Sequence, residues 1–528
     1  MRALLLYPRF PKTIESYEKV LKLINRKASM PPLGLVTVAA ILPQTWEFKL
    51  VDHNVREVTE AEWDWAEVII MSAMIVQKPD LLALIKEAKQ RGKSVAVGGP
   101  YPTSIPQDSS GAGADYLILD EGEVTLPLFV NAIERGESQG VFRSEGERPD
   151  VTHTPVPRYD LLDLDAYNAM CVQFSRGCPF QCEFCDIIVL YGRKPRTKTP
   201  QQLLAELECL YQLGWRRSIF MVDDNFIGNK RNVKLMLQEL QGWMAERQYP
   251  FTFLTEASVD LAQDTELMDS MVACNFKAVF LGIETPDEES LKLTKKFQNM
   301  RSSLVDAVRD INCTGLRVTA GFIIGFDGEK KGAGDRIIEF VEQTAIPTTT
   351  FGILQALPDT ALWHRLKKEG RLLEILGDGS QTMLMNFIPT RPVEEIAEEY
   401  LRAFCTLYEP KCYLDRVYRS FRQMTAPPRL APNKFPGLIE LKALAYIVWQ
   451  QGIKRNTRFM FWHHLFSILK HNPTVWDQYL TVCAYAEHFV EFRDLVREQM
   501  DAQLTKFKVE ETRRDLEKKD LENALISK

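Results

Sequence analysis

Residues 174–188 read FSRGCPFQCEFCDII, and they hold three of the chain's ten cysteines, Cys178, Cys182 and Cys185. Thiols spaced C-x3-C-x2-C on one short loop suit iron, because a 4Fe-4S cubane takes a thiolate on each iron that the protein holds. Three thiols leave one iron open to an exchangeable ligand, whereas a structural zinc is ordinarily closed by four protein ligands. The nearest further donors, Cys171 and His153, lie upstream without the pairing of a closed zinc site. The other cysteines are scattered and the chain opens on no export signal. This pattern reads as a reducing, cytoplasmic compartment rather than a disulfide framework.

Outward from that loop the sequence alternates. Residues 1–140 interleave the apolar runs ALLLYP, EFKLVDHN, EVIIMSAM, SVAVGGP and DYLILDEGE with helical patterns around Gly34–Leu42 and Pro79–Gln90. Such alternation predicts an α/β fold, here a doubly wound, Rossmann-like parallel sheet whose ligands lie beyond the carboxyl ends of its strands. Those ends carry Asp52-His53-Asn54, Ser72-Ala73-Met74, Gly98-Gly99-Pro100 and Glu121-Gly122-Glu123. Glycines and polar residues end most strands, but four such ends along one edge point to a ligand. Residues 141–165, VFRSEGERPDVTHTPVPRYDLLDLD, are proline-rich and aperiodic, a linker. Alternation resumes over 166–370 with six or more strand-helix units, predicting a partial or full (β/α) barrel. Residues 371–528 read as α-helical and end in KFKVEETRRDLEKKDLENALISK, expected to be a solvated or partly disordered helix without a site.

The charge balance, 65 Lys and Arg against 71 Asp and Glu, gives no basic field and excludes nucleic acid as a natural partner. In MRALLLYPRFPK a proline stops the apolar run early, so the segment reads as a first strand. No apolar run approaches the ~20 residues of a membrane-spanning helix, so membrane contact would be peripheral. The aromatic runs LAYIVWQQ and RFMFWHHLF suit either the core of a helical domain or an apolar substrate wall.

The motif Cys178-Pro-Phe-Gln-Cys182-Glu-Phe-Cys185, with an aromatic residue before its third cysteine, resembles the signature of radical S-adenosylmethionine (SAM) enzymes. The likeness continues in FMVDDNF with Asp223, FLGIET with Glu284, and GFIIGF with Gly321 and Gly325. It implies a 4Fe-4S cluster on the three cysteines whose open iron chelates SAM. An electron donor such as flavodoxin or ferredoxin would then drive cleavage of SAM to a 5′-deoxyadenosyl radical. It further implies Asp223 among the cofactor-binding residues, Glu284 at the SAM ribose or amino group, and Phe184 against the adenine. The backbone of Gly321 to Gly325 would run beside the adenine and methionine. Arg193 and Arg196 could pair with the SAM carboxylate, since a guanidinium suits bidentate recognition; a solvated basic loop explains them equally well.

SMPPLGLVTVAA, VDHNV, VAVGGPYPT and DYLILDEGEVTL look like the cobalamin-binding domain of the B12-dependent radical SAM subfamily. The likeness implies a cobalamin face at Asp52, Asn54, Ser72, Gly98, Gly99, Glu121, Gly122 and Glu123, where glycine lets backbone approach a flat ring. His53 lacks the D-x-H-x-x-G context of a cobalt ligand and reads as a supporting or surface histidine. Residues 371–500 resemble the branch that includes hopanoid C-2 methylases. That resemblance implies methyl transfer to an unactivated carbon, with one SAM methylating cobalamin and a second supplying the radical that removes a hydrogen. The substrate would be a polycyclic isoprenoid lipid or another small molecule. Radical chemistry without methyl transfer (cyclisation, coupling or rearrangement) and a non-enzymatic redox or cobalamin sensor are the alternatives.

Overall fold

The computed structural model describes residues 1–14, 16–373, 383–432 and 437–526. The first strand, β1 (Arg2–Tyr7), sends its side chains alternately into two cores. Leu4 and Leu6 pack with Ile69, Met71 and Leu84 on one face, while Ala3 and Leu5 pack with Ile70, Leu126 and Phe129 on the other. A strand buried on both sides reads as an unbroken apolar run, which is why ALLLY shows no alternation.

β2 (Glu47–Asp52), β3 (Val68–Ser72), β4 (Ser94–Gly98), β5 (Tyr116–Ile118) and β6 (Gly140–Phe142) complete a six-stranded sheet in the order β2-β1-β3-β4-β5-β6. All its pairs are parallel. The helices Leu33–Ile41 and Gly122–Glu134 cover one face, and Glu60–Trp65 and Lys78–Gln90 cover the other. The order reverses between β1 and β3, the point where doubly wound sheets open a crevice for a ligand.

β6 takes Val141 and Phe142 from the stretch read as a linker beginning at 141. A three-residue edge strand with Val141 exposed is too short to show a period. Beyond it, single helical turns at Val151–His153, Tyr159–Leu161 and Leu164–Ala166 lead to the second sheet. This crossing is laced to the first domain: the N–H groups of Lys27 and Ala28 donate to Ala166 O at 2.8 and 3.1 Å, and Asn168 N–H donates to Ala28 O at 3.0 Å. The buried Tyr167 hydroxyl donates to Asp52 Oδ2 at 3.1 Å.

The second sheet contains β7 (Ala169–Val172), beyond which β8 (Ser175–Arg176) and β9 (Arg196–Thr197) form a short antiparallel ribbon. It continues with β10 (Ser218–Met221), β11 (Thr252–Ala257), β12 (Phe276–Glu284), β13 (Arg317–Ile324) and β14 (Thr348–Ile353), in the spatial order β14-β13-β12-β11-β10-β7. Every neighbouring pair is parallel. Among the described residues no pairing joins β14 to β7, so the six strands form a partial barrel.

After residue 392 come the helices Val393–Leu407, Pro410–Gln423, Leu438–Trp449, Arg458–His471 and Trp476–Ile526. Arg416, fully buried, ties them to the barrel by donating to Glu342 Oε1 at 2.7 Å, Ile346 O at 2.9 Å and Leu407 O at 2.7 Å. His488 Nε2 donates to Ile14 O at 2.8 Å, and Tyr485 packs on Tyr17, so the last helix grips the start of the chain. The charged tail continues this helix to Ile526, and its last two residues lie outside the described ones. No helix among the described residues is long and apolar enough to cross a membrane.

Candidate active site

The loop carrying Cys178, Cys182 and Cys185 leaves the carboxyl end of β7 and is folded by two carboxylates from the end of β10. Asp223, fully enclosed, accepts the N–H groups of Phe174 and Ser175, both at 2.8 Å, and the Ser175 hydroxyl at 2.6 Å. Asp224 accepts the N–H of Gly177 at 2.6 Å. Gly177 has φ +93°, and a Cβ there would stand 2.9 Å from Gly192 O, so only glycine lets the loop double back against the next turn. Burial pushes Asp223 up to about 7 and Asp224 up to about 6, against the pull of these hydrogen bonds. Asp223, read in the sequence as a cofactor contact, is thus a brace for the cysteine loop.

All three cysteines are free thiols. Asn225 Nδ2 points at Cys178 Sγ from 4.0 Å, and Gln298 Nε2 at Cys182 Sγ from 3.6 Å. Burial holds the Cys178 and Cys185 thiols protonated above their ordinary range, as expected of thiols that ionise only on gaining metal. Among the described residues no three His, Cys, Asp or Glu side chains converge on a single ion. Three separate thiols with amide donors aimed at sulfur suit a multi-iron cluster, whose outer-sphere hydrogen bonds tune its potential.

β12 ends at Glu284, whose φ of +65° lies in the left-handed region and turns its carboxylate back toward the cluster loop. There it meets buried Lys296 in a short ion pair. Desolvation alone would lower Lys296, but the Glu284 carboxylate holds it above its ordinary value. Asn299 donates to Gly282 O at 3.1 Å and Ile283 O at 2.9 Å, fixing the strand end. Lys296, Gln298 and Asn299 went unread in the sequence; their only trace is the cluster of long polar side chains in KKFQN.

Phe184 packs against Phe326 with ring centroids 5.8 Å apart. Both line a cavity of about 340 Å³ with Leu354, Leu362, Asp327 and Arg365, large enough for an organic ligand. Arg365 donates to Glu183 at 2.6 Å and to Asp327 at 2.8 Å, closing one side. Gly321 stands where a Cβ would lie 2.9 Å from Phe280, and Gly325, φ +95°, where it would lie 3.1 Å from Met385. Protein packing therefore accounts for both glycines.

The carboxyl edge of the first sheet meets the cluster loop directly. Buried Glu121 accepts Arg196 at 2.8 and 3.0 Å and Arg176 at 3.0 Å, while Arg148 stands 3.6 Å away. Glu123 takes the other side of Arg176 at 2.8 Å and the Thr154 hydroxyl at 2.7 Å. Arg196, read as either a partner of the SAM carboxylate or part of a solvated basic loop, donates to Glu121, Pro149 O and Tyr191 O, because a buried carboxylate demands a cation. Arg193 is exposed and donates to Pro179 O at 3.3 Å on the cysteine loop.

Elsewhere on this edge, Asp52 accepts from Asn54 and Tyr167, and burial raises it. Asn54 in turn accepts from Phe10 N–H at 2.9 Å. His53 is not on the surface: it is buried, with its ring nitrogens 3.3 Å from Asp80 and 3.4 Å from Glu57. Gly99, φ +95°, would place a Cβ 2.4 Å from Ser72 Oγ, and Gly98 would place one 2.6 Å from Ile118 O. Gly122 opens the helix Gly122–Glu134. Close packing among β3, β4 and β5 thus requires small residues here, and a gap of about 30 Å³ lies among Gly99, Thr103, Asp120, Leu190 and Tyr191. The small residues Ser72, Ala73, Gly98 and Gly99 suit close approach of a bulky planar group.

Residues 20–130 match the B12 binding domain, residues 172–341 the radical SAM superfamily, and residues 360–502 a domain of unknown function, DUF4070. Their succession along one chain defines a cobalamin-dependent radical SAM enzyme. Two relatives narrow it. Uncharacterized methyltransferase sll1242 of Synechocystis sp. is 67% identical over 97% of this chain and 97% of its own. Hopanoid C-2 methylase of Rhodopseudomonas palustris is 34% identical over 87% of this chain and 88% of its own. The chain belongs to this family of radical SAM methyltransferases, whose cofactors are a 4Fe-4S cluster, SAM and cobalamin. Its fold is shared by TsrM of Kitasatospora setae, solved with cobalamin and a 4Fe-4S cluster, with a TM-score of 0.60 at 14% identity, covering 93% of this chain and 99% of that one. OxsB, solved with aqua-cobalamin and SAM, gives 0.58 at 16% identity, over 96% of this chain and 81% of its own.

Proposed function

We propose that the chain methylates an unactivated carbon of a polycyclic isoprenoid lipid of the hopanoid kind. The observation that carries this reading is the 34% identity to hopanoid C-2 methylase, sustained over 87% of the chain and so across all three regions. When bound, the cluster with SAM supplies a carbon-centred radical and cobalamin supplies the methyl group.

The protein's own part is positioning. Cys178, Cys182 and Cys185 would hold the cluster, with Asn225 and Gln298 donating to its sulfurs. Glu284, braced by Lys296, would receive the SAM ribose or amino group, and Phe184 would face the adenine at the wall of the 340 Å³ cavity. Ser72, Gly98, Gly99 and the neighbouring loops would carry cobalamin. The Glu121 ion cluster would hold that face against the cysteine loop and keep water out of the contact. A flavodoxin or ferredoxin would supply electrons, in the cytoplasm or at the membrane's inner face.

The test is anaerobic reconstitution with cobalamin, SAM, reductant and a hopene-type lipid. Deoxyadenosine, S-adenosylhomocysteine and a lipid heavier by one methylene are expected. Both nucleoside products with the lipid unchanged would reject the substrate and leave the methyltransferase class standing.

A further inference from the structure

The helices Leu438–Trp449 and Arg458–His471 are apolar on both faces. Inward, Ile447, Phe461, Leu465 and Ile468 join the core. Outward, Leu438, Leu441 and Trp449 recur at helical spacing on the first helix, and Phe459, Phe466 and Leu469 on the second. Phe459 is 76% exposed, Leu438 78% and Phe466 62%. Nine of the twenty large apolar side chains that stand exposed among the described residues lie between 438 and 476, so the exposure is concentrated rather than scattered. Contiguous apolar surface beyond a few hundred Å² marks an interaction site on a protein.

Charge decides which partner. The chain carries a net charge of -6, yet residues 438–476 contain five Lys and Arg, Lys442, Lys454, Arg455, Arg458 and Lys470, against one acidic residue, Glu440. Arg455 is taken by Glu487 at 2.7 Å. The other four enter no ion pair among the described residues, and Arg458 lies over the exposed Phe459 ring at 5.0 Å. Outward Trp, Phe and Leu interspersed with Lys and Arg are the composition that suits the headgroup layer of an anionic membrane, where rings sit at the acyl boundary and cations among phosphates. The bend Gln450–Lys454 between the helices is pinned by Trp462 Nε1 donating to Gly452 O at 2.9 Å, so the two outward faces keep a fixed relation.

We infer that residues 438–476 are a peripheral docking surface for anionic lipid bilayers. The inference rests on this patch alone and stands whatever the substrate is.

The test is co-sedimentation of the full chain with phosphatidylcholine vesicles, with and without phosphatidylglycerol. The wild type is expected to sediment with the anionic vesicles and about tenfold more weakly with phosphatidylcholine alone or in high salt. F459E/F466E should lose binding to both, and K442E/K470E should lose the preference for phosphatidylglycerol, with circular dichroism unchanged because all four side chains are exposed. Wild type that stays in the supernatant, or F459E/F466E that binds as wild type does, overturns the inference. So does light scattering that shows a wild-type dimer dissolved by F459E/F466E, since the face would then belong to a second copy.

Discussion

Arg196 Nη2 donates to Glu121 Oε1 at 2.8 Å while its Nη1 donates to Glu121 Oε2 at 3.0 Å, a two-pronged pair between the cysteine region and the strand edge of the B12-binding domain. Two residues that sequence reading assigns to different cofactors hold each other. One buried carboxylate therefore registers the edge of the first sheet against the cysteine region.

Replacing that carboxylate should be expensive. E121Q leaves Arg196 and Arg148 without a carboxylate and Arg176 with Glu123 alone, and losing one partner of a buried ion cluster costs about 3–5 kcal/mol. Thermal or denaturant melts of the apo-protein should show the loss. A variant as stable as wild type would mean that water already reaches the cluster.

Lys296 should govern SAM binding more than cluster assembly. K296M removes the cation that holds Glu284, and SAM affinity should weaken by roughly tenfold or more, about 1.4 kcal/mol, while the iron-sulfur absorbance persists. G282A should reproduce this without deleting a charge, because its methyl would lie 2.7 Å from Glu284 Oε1 and 2.9 Å from Lys296 Nζ. Equilibrium dialysis of anaerobic protein with labelled SAM measures both.

Gln298 should set the cluster's potential. Donors to cluster sulfur stabilise the reduced, more negative state, so Q298L should shift the reduction potential downward. A redox titration followed by electron paramagnetic resonance reads the shift. An unchanged potential would show that the amide does not reach the ligated sulfur.

Glu329 gives a pH signature outside the cluster. Burial pushes it up to about 7, although Gly325 N–H donates to it at 2.8 Å and Arg391 stands 3.5 Å away. Its folded-state value lies above its ordinary one of 4.5, so the folded protein holds a proton that the unfolded chain has lost. Its contribution is full below pH 4.5 and declines as pH rises to about 7, by up to about 1.4 kcal/mol per unit. E329Q should remove this slope from the stability profile, and an unaltered slope would assign it elsewhere.

The sequence shows what is local and hides what is distant. The cysteine loop is legible because Cys178, Cys182 and Cys185 fall within eight residues, and β1 and β3 because burial on both faces leaves a continuous apolar run. β6 is too short to carry a period. The partner of Glu284 lies twelve residues on, past a helix, and that of Glu121 seventy-five residues on, on another domain. Such pairs are fixed by tertiary burial, which no window of sequence contains. LAYIVWQQ and RFMFWHHLF fit core packing and surface exposure alike, since helical spacing alone does not say which stripe finds a neighbour.

The bond from His488 to Ile14 spans 474 residues. During synthesis both sheets leave the ribosome well before residues 476–526 exist to close over Ile14 and Tyr17. For that interval the nascent chain carries both sheets without their final clasp.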